Sequence, residues 1–419
     1  MHVSNTRGSK IGLAMAGGGP AGAIYEIGVI RALEEAIEGL SFNDFNVYVG
    51  VSAGAFITAN LANNIPTDVM CRAIVGTDPD DHPFVPETFL TPAFNEFFRS
   101  AANIPQFIFD AFRDYLGNHD DRTILKSLTR LSRAIPVGLF DNRPIKRYLD
   151  RIYSKPGRTN DFNQLKNQLH VVTADLDSGE AVIFGKNRMD VPISQAVQAS
   201  AALPGLYPPV LIDGRFYVDG VLLKTLHAST ILDSGVDLAI CINPIVPVDT
   251  KTSVEMGYMK RGKLIDRGMP SILSQTFRTL IHSRMITGFA AYKERYKTSD
   301  TILFEPSKED YRMFFTNIFS FSSRKAVCEH AYESTYKNLY QRREELAPIL
   351  AKHGYRLRTE ILAHPKLDLW KSVNLPEDVR RKFKKPHGSV TSDLDKALTR
   401  IEQFLAEKAN QQVETETSH

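Results

Sequence analysis

Five consecutive residues, Gly50-Val51-Ser52-Ala53-Gly54, set a serine inside a G-x-S-x-G pattern, behind the apolar run "VYV" and ahead of a small-residue helical stretch. A strand-to-helix turn of this kind presents the serine hydroxyl at a helix N-terminus. That hydroxyl is a weak nucleophile until strain, a helix terminus and a base act on it together, so the chemistry it suggests is acyl transfer. Nearer the N-terminus, "AGGGPAG" puts Gly17, Gly18 and Gly19 where another apolar run turns into a helix. Glycine leaves backbone amides unobstructed, and such amides bind something negative, a phosphate or an oxyanion. In acyl transfer each fixed amide aimed at the oxyanion of the tetrahedral intermediate is worth roughly 3–4 kcal/mol.

The same glycines admit a rival. Gly17, Gly19 and Gly22 also satisfy G-x-G-x-x-G after a strand, the fingerprint of a dinucleotide site in an oxidoreductase. That fingerprint expects an acidic residue closing the second strand about 20 residues on. Here Glu34, Glu35, Glu38 and Asp44 fall within or just after the first helical stretch, and the next strand ends in Gly50-Val51-Ser52. The serine turn stands where the ribose-binding carboxylate belongs, which favours ester hydrolysis. For the base, the eleven histidines are scattered, and His227, set among Lys224 and leucines, reads as a packing residue. Asp219 in "IDGRFYVDGVLL" is the better candidate, because an apolar strand delivers it and Gly220 lets the chain bend away. A buried carboxylate whose pKa rises toward neutrality can take a serine proton.

Positioning these groups requires a scaffold that the hydrophobic pattern sketches. Residues 11–16 read as a buried strand, and residues 21–37 as a helix with Ile24, Ile27, Ile30, Leu33 and Ile37 at helical spacing. Residues 47–49 repeat the strand, 50–54 the turn, and an Ala-rich helix follows. Two such units predict βαβ topology and a mostly parallel sheet, hence an α/β fold. "LHVVTADLDSGEAVIFG" reads as two strands around Asp177-Ser178-Gly179, "PISQAVQASAALPG" as a helix and "VDLAICINPI" as another buried strand. Later come an amphipathic helix over residues 270–296, a strand in "DTILFEP" and a closing helix over 323–346. An aromatic insertion of short helices at about residues 77–133 reads either as a lid or acyl-binding wall or as helices packed on the core, and the chain beyond 351 is basic, with "RRKFKK" over 380–385.

Composition narrows the function classes. Lys and Arg number 51 against 48 Asp and Glu, a net charge of +3, too small to argue for nucleic acid. Three widely spaced cysteines, Cys71, Cys241 and Cys328, make neither a disulfide framework nor a zinc pattern and read as buried thiols in a reducing compartment. No signal peptide and no run of about 18 uncharged apolar residues is seen. The expectation is a cytoplasmic or membrane-peripheral chain; the basic run 380–385 reads first as a solvated stretch, with contact to anionic lipid as the alternative.

Taken in order, "AGGGPAGA", "GVSAG", "QASAALPGLYPPV" and "YVDG" resemble the patatin-like phospholipase family over about residues 10–245. The resemblance implies a three-layer α/β/α sandwich and a Ser-Asp dyad without histidine. Ser52 would be the nucleophile and Asp219 the base. Gly17, Gly18 and Gly19 would form the oxyanion hole, with Gly50 and Gly54 shaping the nucleophile elbow. It implies a lipid or acyl-ester substrate, of phospholipase A, lysophospholipase or lipase type, and no metal or cofactor. Two positions depart from the family pattern: Ala21 replaces the usual Arg or Lys of the glycine loop, and Val221 follows Asp219-Gly220 where Gly or Ala is common. The alternatives that stay open are the dinucleotide-binding oxidoreductase and a catalytically inactive lipid-binding relative. Domain organisation on this basis is a catalytic core over 10–245 carrying the insertion, its C-terminal part over 246–346, and a basic helical tail over 347–419.

Overall fold

In the first strand, Ile11, Leu13 and Met15 point into one apolar cluster while Ala14 points into another on the opposite face. The same period of two separates Tyr48 from Val47, Val49 and Val51, and Leu238, Ile240 and Ile242 from Ala239 and Cys241. Strands apolar on both faces must be covered on both faces, and that fixes the architecture.

The computed structural model describes residues 8–74, 137–186, 190–224, 226–255, 263–266, 268–310, 321–363 and 368–375. Along the chain run β1 (Ile11–Met15), α1 (Gly19–Ala36), β2 (Val47–Val51), α2 (Ala53–Ala62), α3 (Thr67–Ile74) and α4 (Arg143–Tyr153). Next come β3 (Gln168–Asp175), β4 (Ala181–Gly185), α5 (Ile193–Ser200), β5 (Val210–Ile212), β6 (Arg215–Asp219), α6 (Ala228–Asp233) and β7 (Leu238–Ile242). After two short helices follow α7 (Met269–Arg295), β8 (Asp300–Phe304), α8 (Phe321–Gln341) and α9 (Arg343–Lys352). The insertion expected at 77–133, apart from the sequence itself, and the basic run 380–385 lie outside the described residues.

Eight strands make one sheet, and β8, β7, β1, β2 and β3 are parallel neighbours in that order. The remaining three, β4, β5 and β6, join antiparallel. One face carries α1, α2, α5 and α8, whose side chains share a cluster with Leu13, Tyr48 and Ile240. The other carries α6 and part of α7, through Ile231, Leu232, Ile281 and Phe289. The result is the mostly parallel three-layer α/β/α sandwich expected from the sequence.

Two details differ from the expectation. The closing helix over 323–346 is broken at Arg342, whose guanidinium donates to the Leu303 carbonyl at 2.9 Å near the end of β8, and α9 starts at the next residue. The core also continues past residue 347: Arg356–Leu357 pairs antiparallel with Ile37–Glu38, and Leu357, Leu362 and Trp370 are buried in the main cluster. Cys71, Cys241 and Cys328 are all buried and free, in keeping with their spacing.

One core residue is at odds with its surroundings. Glu26 on α1 is fully buried, and neither carboxyl oxygen meets a hydrogen-bond partner among the described residues. Burial raises its pKa well above the usual carboxylate range, so it is held neutral. A carboxyl that keeps its proton better folded than unfolded adds stability below the unfolded pKa and loses it as pH climbs past that value. Glu26→Met is therefore expected to raise the melting temperature at about pH 8 more than at about pH 5; an equal shift at both, in thermal unfolding followed by circular dichroism, would contradict a neutral buried acid.

Candidate active site

Hydrogen bonding along β3 explains how two distant residues meet. The N–H of Gln168 donates to Asn46 ahead of β2, and the N–H of Leu176, just past β3, donates to Phe216 of β6. Amides of even-numbered residues point to one edge of the strand, so β2 and β6 lie on the same edge, while Asp175 donates to Glu180 on the other. Along that shared edge Val51 is level with Val172 and Asp219 with Thr173. Since β2 runs parallel to β3 and β6 antiparallel, their C-terminal ends meet head-on. The next residue of β2 is Ser52, and the last residue of β6 is Asp219.

Both chains must turn away at once. Ser52 does so with φ +54° and ψ −120°, a conformation that costs an L-residue about 1–3 kcal/mol. Its amide donates to the Ser200 hydroxyl oxygen at 2.8 Å, and that hydroxyl donates onward to the Val172 carbonyl at 2.7 Å. Gly54 brings the first turn of α2 against the end of β1, where a Cβ would lie 2.4 Å from the Met15 oxygen. Gly50 is equally confined, a Cβ there coming within 2.3 Å of the Thr58 hydroxyl oxygen.

Asp219 is 1% exposed. Its Oδ1 accepts the Val221 amide at 2.9 Å, and the Ser52 side chain comes near enough to the carboxyl to favour its ionised form. Burial raises its pKa to about 7, against the smaller lowering by the Ser52 and Val221 hydrogen bonds. The group is thus divided between acid and base near neutrality, where a proton carrier works best.

The glycine loop closes the same corner. A Cβ on Gly17 would stand 3.1 Å from Ser52 Cβ and 3.2 Å from Val221 Cγ2, so the loop, the serine and the residue after Asp219-Gly220 touch. Gly18 is pinned against Pro244, and Gly19, at φ +60° with open space where a side chain would project, starts α1. No backbone hydrogen bond among the described residues takes up the amides of Gly17 or Gly18, and the Gly19 amide belongs to the helix's unsatisfied first turn. Hence Ser52, Asp219, Gly17, Gly18, Gly19, Gly50 and Gly54 all gather at the C-terminal edge of the sheet.

His227 does not join them by any hydrogen bond. It caps α6 in a left-handed conformation at φ +45°, is 5% exposed, and its Nε2 meets no partner among the described residues. Burial, helped by the nearby Lys224 charge, lowers its pKa to about 4 and keeps it neutral. Ser200 is the residue that the motifs left without a role. Its signal was its place in "QASAALPG", but nothing local says that its hydroxyl reaches a turn 148 residues away.

An apolar cleft opens one helical turn further along α1 and α2. It encloses about 510 Å³, part of it open to solvent, and is lined by Ala23, Ile27, Phe56, Val69, Tyr148 and Ile152 among others. Asn60 and Arg158 are its polar lining groups.

Ser200→Ala removes the acceptor for the buried Ser52 amide, which is expected to cost about 1–3 kcal/mol of stability. Urea unfolding measures it, with Ser200→Thr as the variant that retains the hydroxyl; an unchanged midpoint in the alanine variant would mean the bridge holds nothing.

Comparison with known proteins places the chain in a family. A patatin-like phospholipase family profile matches residues 13–229. Uncharacterized NTE family proteins of Mycobacterium tuberculosis are 27% identical over 240 residues and 29% identical over 239, each covering 56% of this chain. This chain spans only 30% of the length of those relatives. A third protein of that description, from Mycobacterium bovis, is 34% identical over 82 residues, 20% of this chain and 22% of its own. Among solved structures, VipD from Legionella pneumophila aligns with a TM-score of 0.32 and 14% identity over 90% of this chain and 86% of its own. The type III effector protein ExoU aligns with a TM-score of 0.34 and 17% identity over 94% and 64%. With a family match that spans more than half of its length and takes in Ser52 and Asp219, the chain belongs to the patatin-like phospholipase family.

Proposed function

We propose that the protein is a serine acyl-ester hydrolase acting on lipid esters. Ser52 is the nucleophile, Asp219 the base, and the amides of Gly17, Gly18 and Gly19 form the oxyanion hole. The observation that carries this reading is the meeting, at adjacent levels of one strand edge, of a strained serine and a buried carboxyl whose pKa burial raises to about 7. Ionised Asp219 takes the hydroxyl proton as Ser52 Oγ attacks the ester carbonyl carbon. The carbonyl oxygen becomes anionic and accepts N–H bonds from the loop, at the positive end of two helices. As the tetrahedral intermediate collapses, the C–O bond to the alcohol breaks and Asp219 returns the proton to the leaving oxygen. Water then repeats the sequence on the acyl-serine, with Asp219 again as base, and frees the acid. No metal or cofactor enters this scheme.

Substrate class follows from the cleft. Its walls are aliphatic and aromatic, and it starts one turn of α1 and α2 beyond the serine, which suits a flexible acyl chain whose burial is worth about 25 cal/mol per Å². A lipid whose ester sits in a bilayer would bring the protein to a membrane surface as a peripheral visitor.

Labelling by a fluorophosphonate probe and turnover of p-nitrophenyl butyrate are expected for the wild type and absent in Ser52→Ala. Asp219→Asn, which keeps the acceptor for the Val221 amide, is expected to lose at least about a hundredfold in kcat. The rate should rise with pH along a limb centred near 7, because only the ionised carboxylate accepts the proton. A limb centred near pH 4 would contradict a buried base. Binding of NAD(P) or a flavin without serine labelling would select the dinucleotide alternative, and lipid binding without labelling the inactive one.

Filling the cleft with Val69→Trp is expected to slow turnover of p-nitrophenyl laurate while sparing the butyrate. Equal loss on both esters would detach the cleft from acyl binding.

A further inference from the structure

The outer surface of α7 carries several of the large apolar side chains left exposed among the described residues. Met269, Ile272, Leu273, Phe277 and Leu280 are 69%, 44%, 46%, 51% and 54% exposed, and at helical spacing they make one stripe about three turns long. Residues on the opposite side hold the helix down: Gln275 exchanges hydrogen bonds with Val248, and His282 and Met285 are buried. A stripe of adjoining apolar side chains left in water marks a contact surface.

Charge indicates what the surface fits. Between Asp266 and Glu294 the sequence has no carboxylate side chain; Arg284 is exposed on the outward side, while Arg278 faces inward and donates to the Val246 carbonyl. The remaining polar residues from 271 to 287 are neutral serines, threonines and a glutamine, apart from His282. An outward apolar face flanked by exposed cations, here Arg284 and Lys224, with no carboxylate within the stripe, is the pattern of a helix lying in the headgroup region of an anionic bilayer. Its position also fits: Arg284 donates to the Leu222 carbonyl at 3.4 Å, and Leu222 is three residues past Asp219. Lys224, exposed on the same short segment, adds a second cation beside the site.

We propose that the outward face of α7 rests on an anionic lipid bilayer and holds the mouth of the Ser52–Asp219 site at the boundary between water and lipid. The purpose of this contact rests on the hydrolase reading. The contact itself is measured without turnover, so either can fail alone.

Full-length protein is sedimented with phosphatidylcholine vesicles, with and without phosphatidylserine. Wild type and Ser52→Ala are expected to partition alike, and preferentially onto the phosphatidylserine vesicles. The double variant Phe277→Ser/Leu280→Ser is expected to lose at least tenfold in partitioning while its melting temperature and turnover of p-nitrophenyl butyrate stay unchanged. A second pair, Met269→Ser/Ile272→Ser, repeats the test one turn away, so a folding failure of the first does not end it. Undiminished partitioning by both pairs, or no binding by the wild type, would overturn the proposal. So would a wild-type dimer in light scattering that the variants convert to monomer without vesicles present, because the stripe would then be a contact between copies.

Discussion

The structure depends on two strands ending head-on against the same edge of a third. Along β3, the last residues of β2 and β6 sit at adjacent levels, Val51 opposite Val172 and Asp219 opposite Thr173. Neither chain can continue, so each turns off sharply, and the side chains at the two turns are forced together. This steric constraint converts residues 167 positions apart into neighbours without any loop reaching across the molecule. It also takes Asp219 out of water, and that burial, opposed only by hydrogen bonds from Ser52 and Val221, leaves its proton affinity near neutrality.

Strain at such a point has to be held by its surroundings. Ser52 keeps an unfavourable backbone conformation because its amide is tied to Ser200, and Ser200 is tied in turn to β3. The Gly54 amide anchors the start of α2 to the Ala16 carbonyl at 3.1 Å. Val221 completes the enclosure: its side chain packs on Gly17 while its amide serves Asp219. A residue that departs from the family pattern is therefore part of the wall that dries the carboxyl, and its bulk narrows the corner without removing a donor or an acceptor. Ala21, one turn into α1, takes a cation from the loop and leaves the amides untouched.

The two helical layers do different work. The layer of α1 and α2 buries nearly everything it has, including Glu26, and with α3 and α4 gives the cleft its apolar walls. The layer of α6 and α7 covers the other face, where Val47, Val49 and Cys241 are buried, and α7 leaves an apolar stripe outside. Among the described residues no helix is long and apolar enough to cross a membrane, so contact with lipid through α7 would be a matter of lying on a surface.

Sequence alone determined what is local. Strand, turn and helix around Ser52, the glycine loop ahead of α1, the hairpin at Asp177-Ser178-Gly179 and the arrival of Asp219 at a strand end are all written in neighbouring residues, because backbone preference and hydrophobic period act over a few positions. What tertiary structure decided is everything that needed strand pairing: that β2 and β6 share one edge of β3, that Ser200 holds the serine turn, that Val221 leans on Gly17, and which face of α7 stays in water. The register of a strand against a partner more than a hundred residues away is set by the packing of both sheet faces at once, and no window of sequence contains that sum.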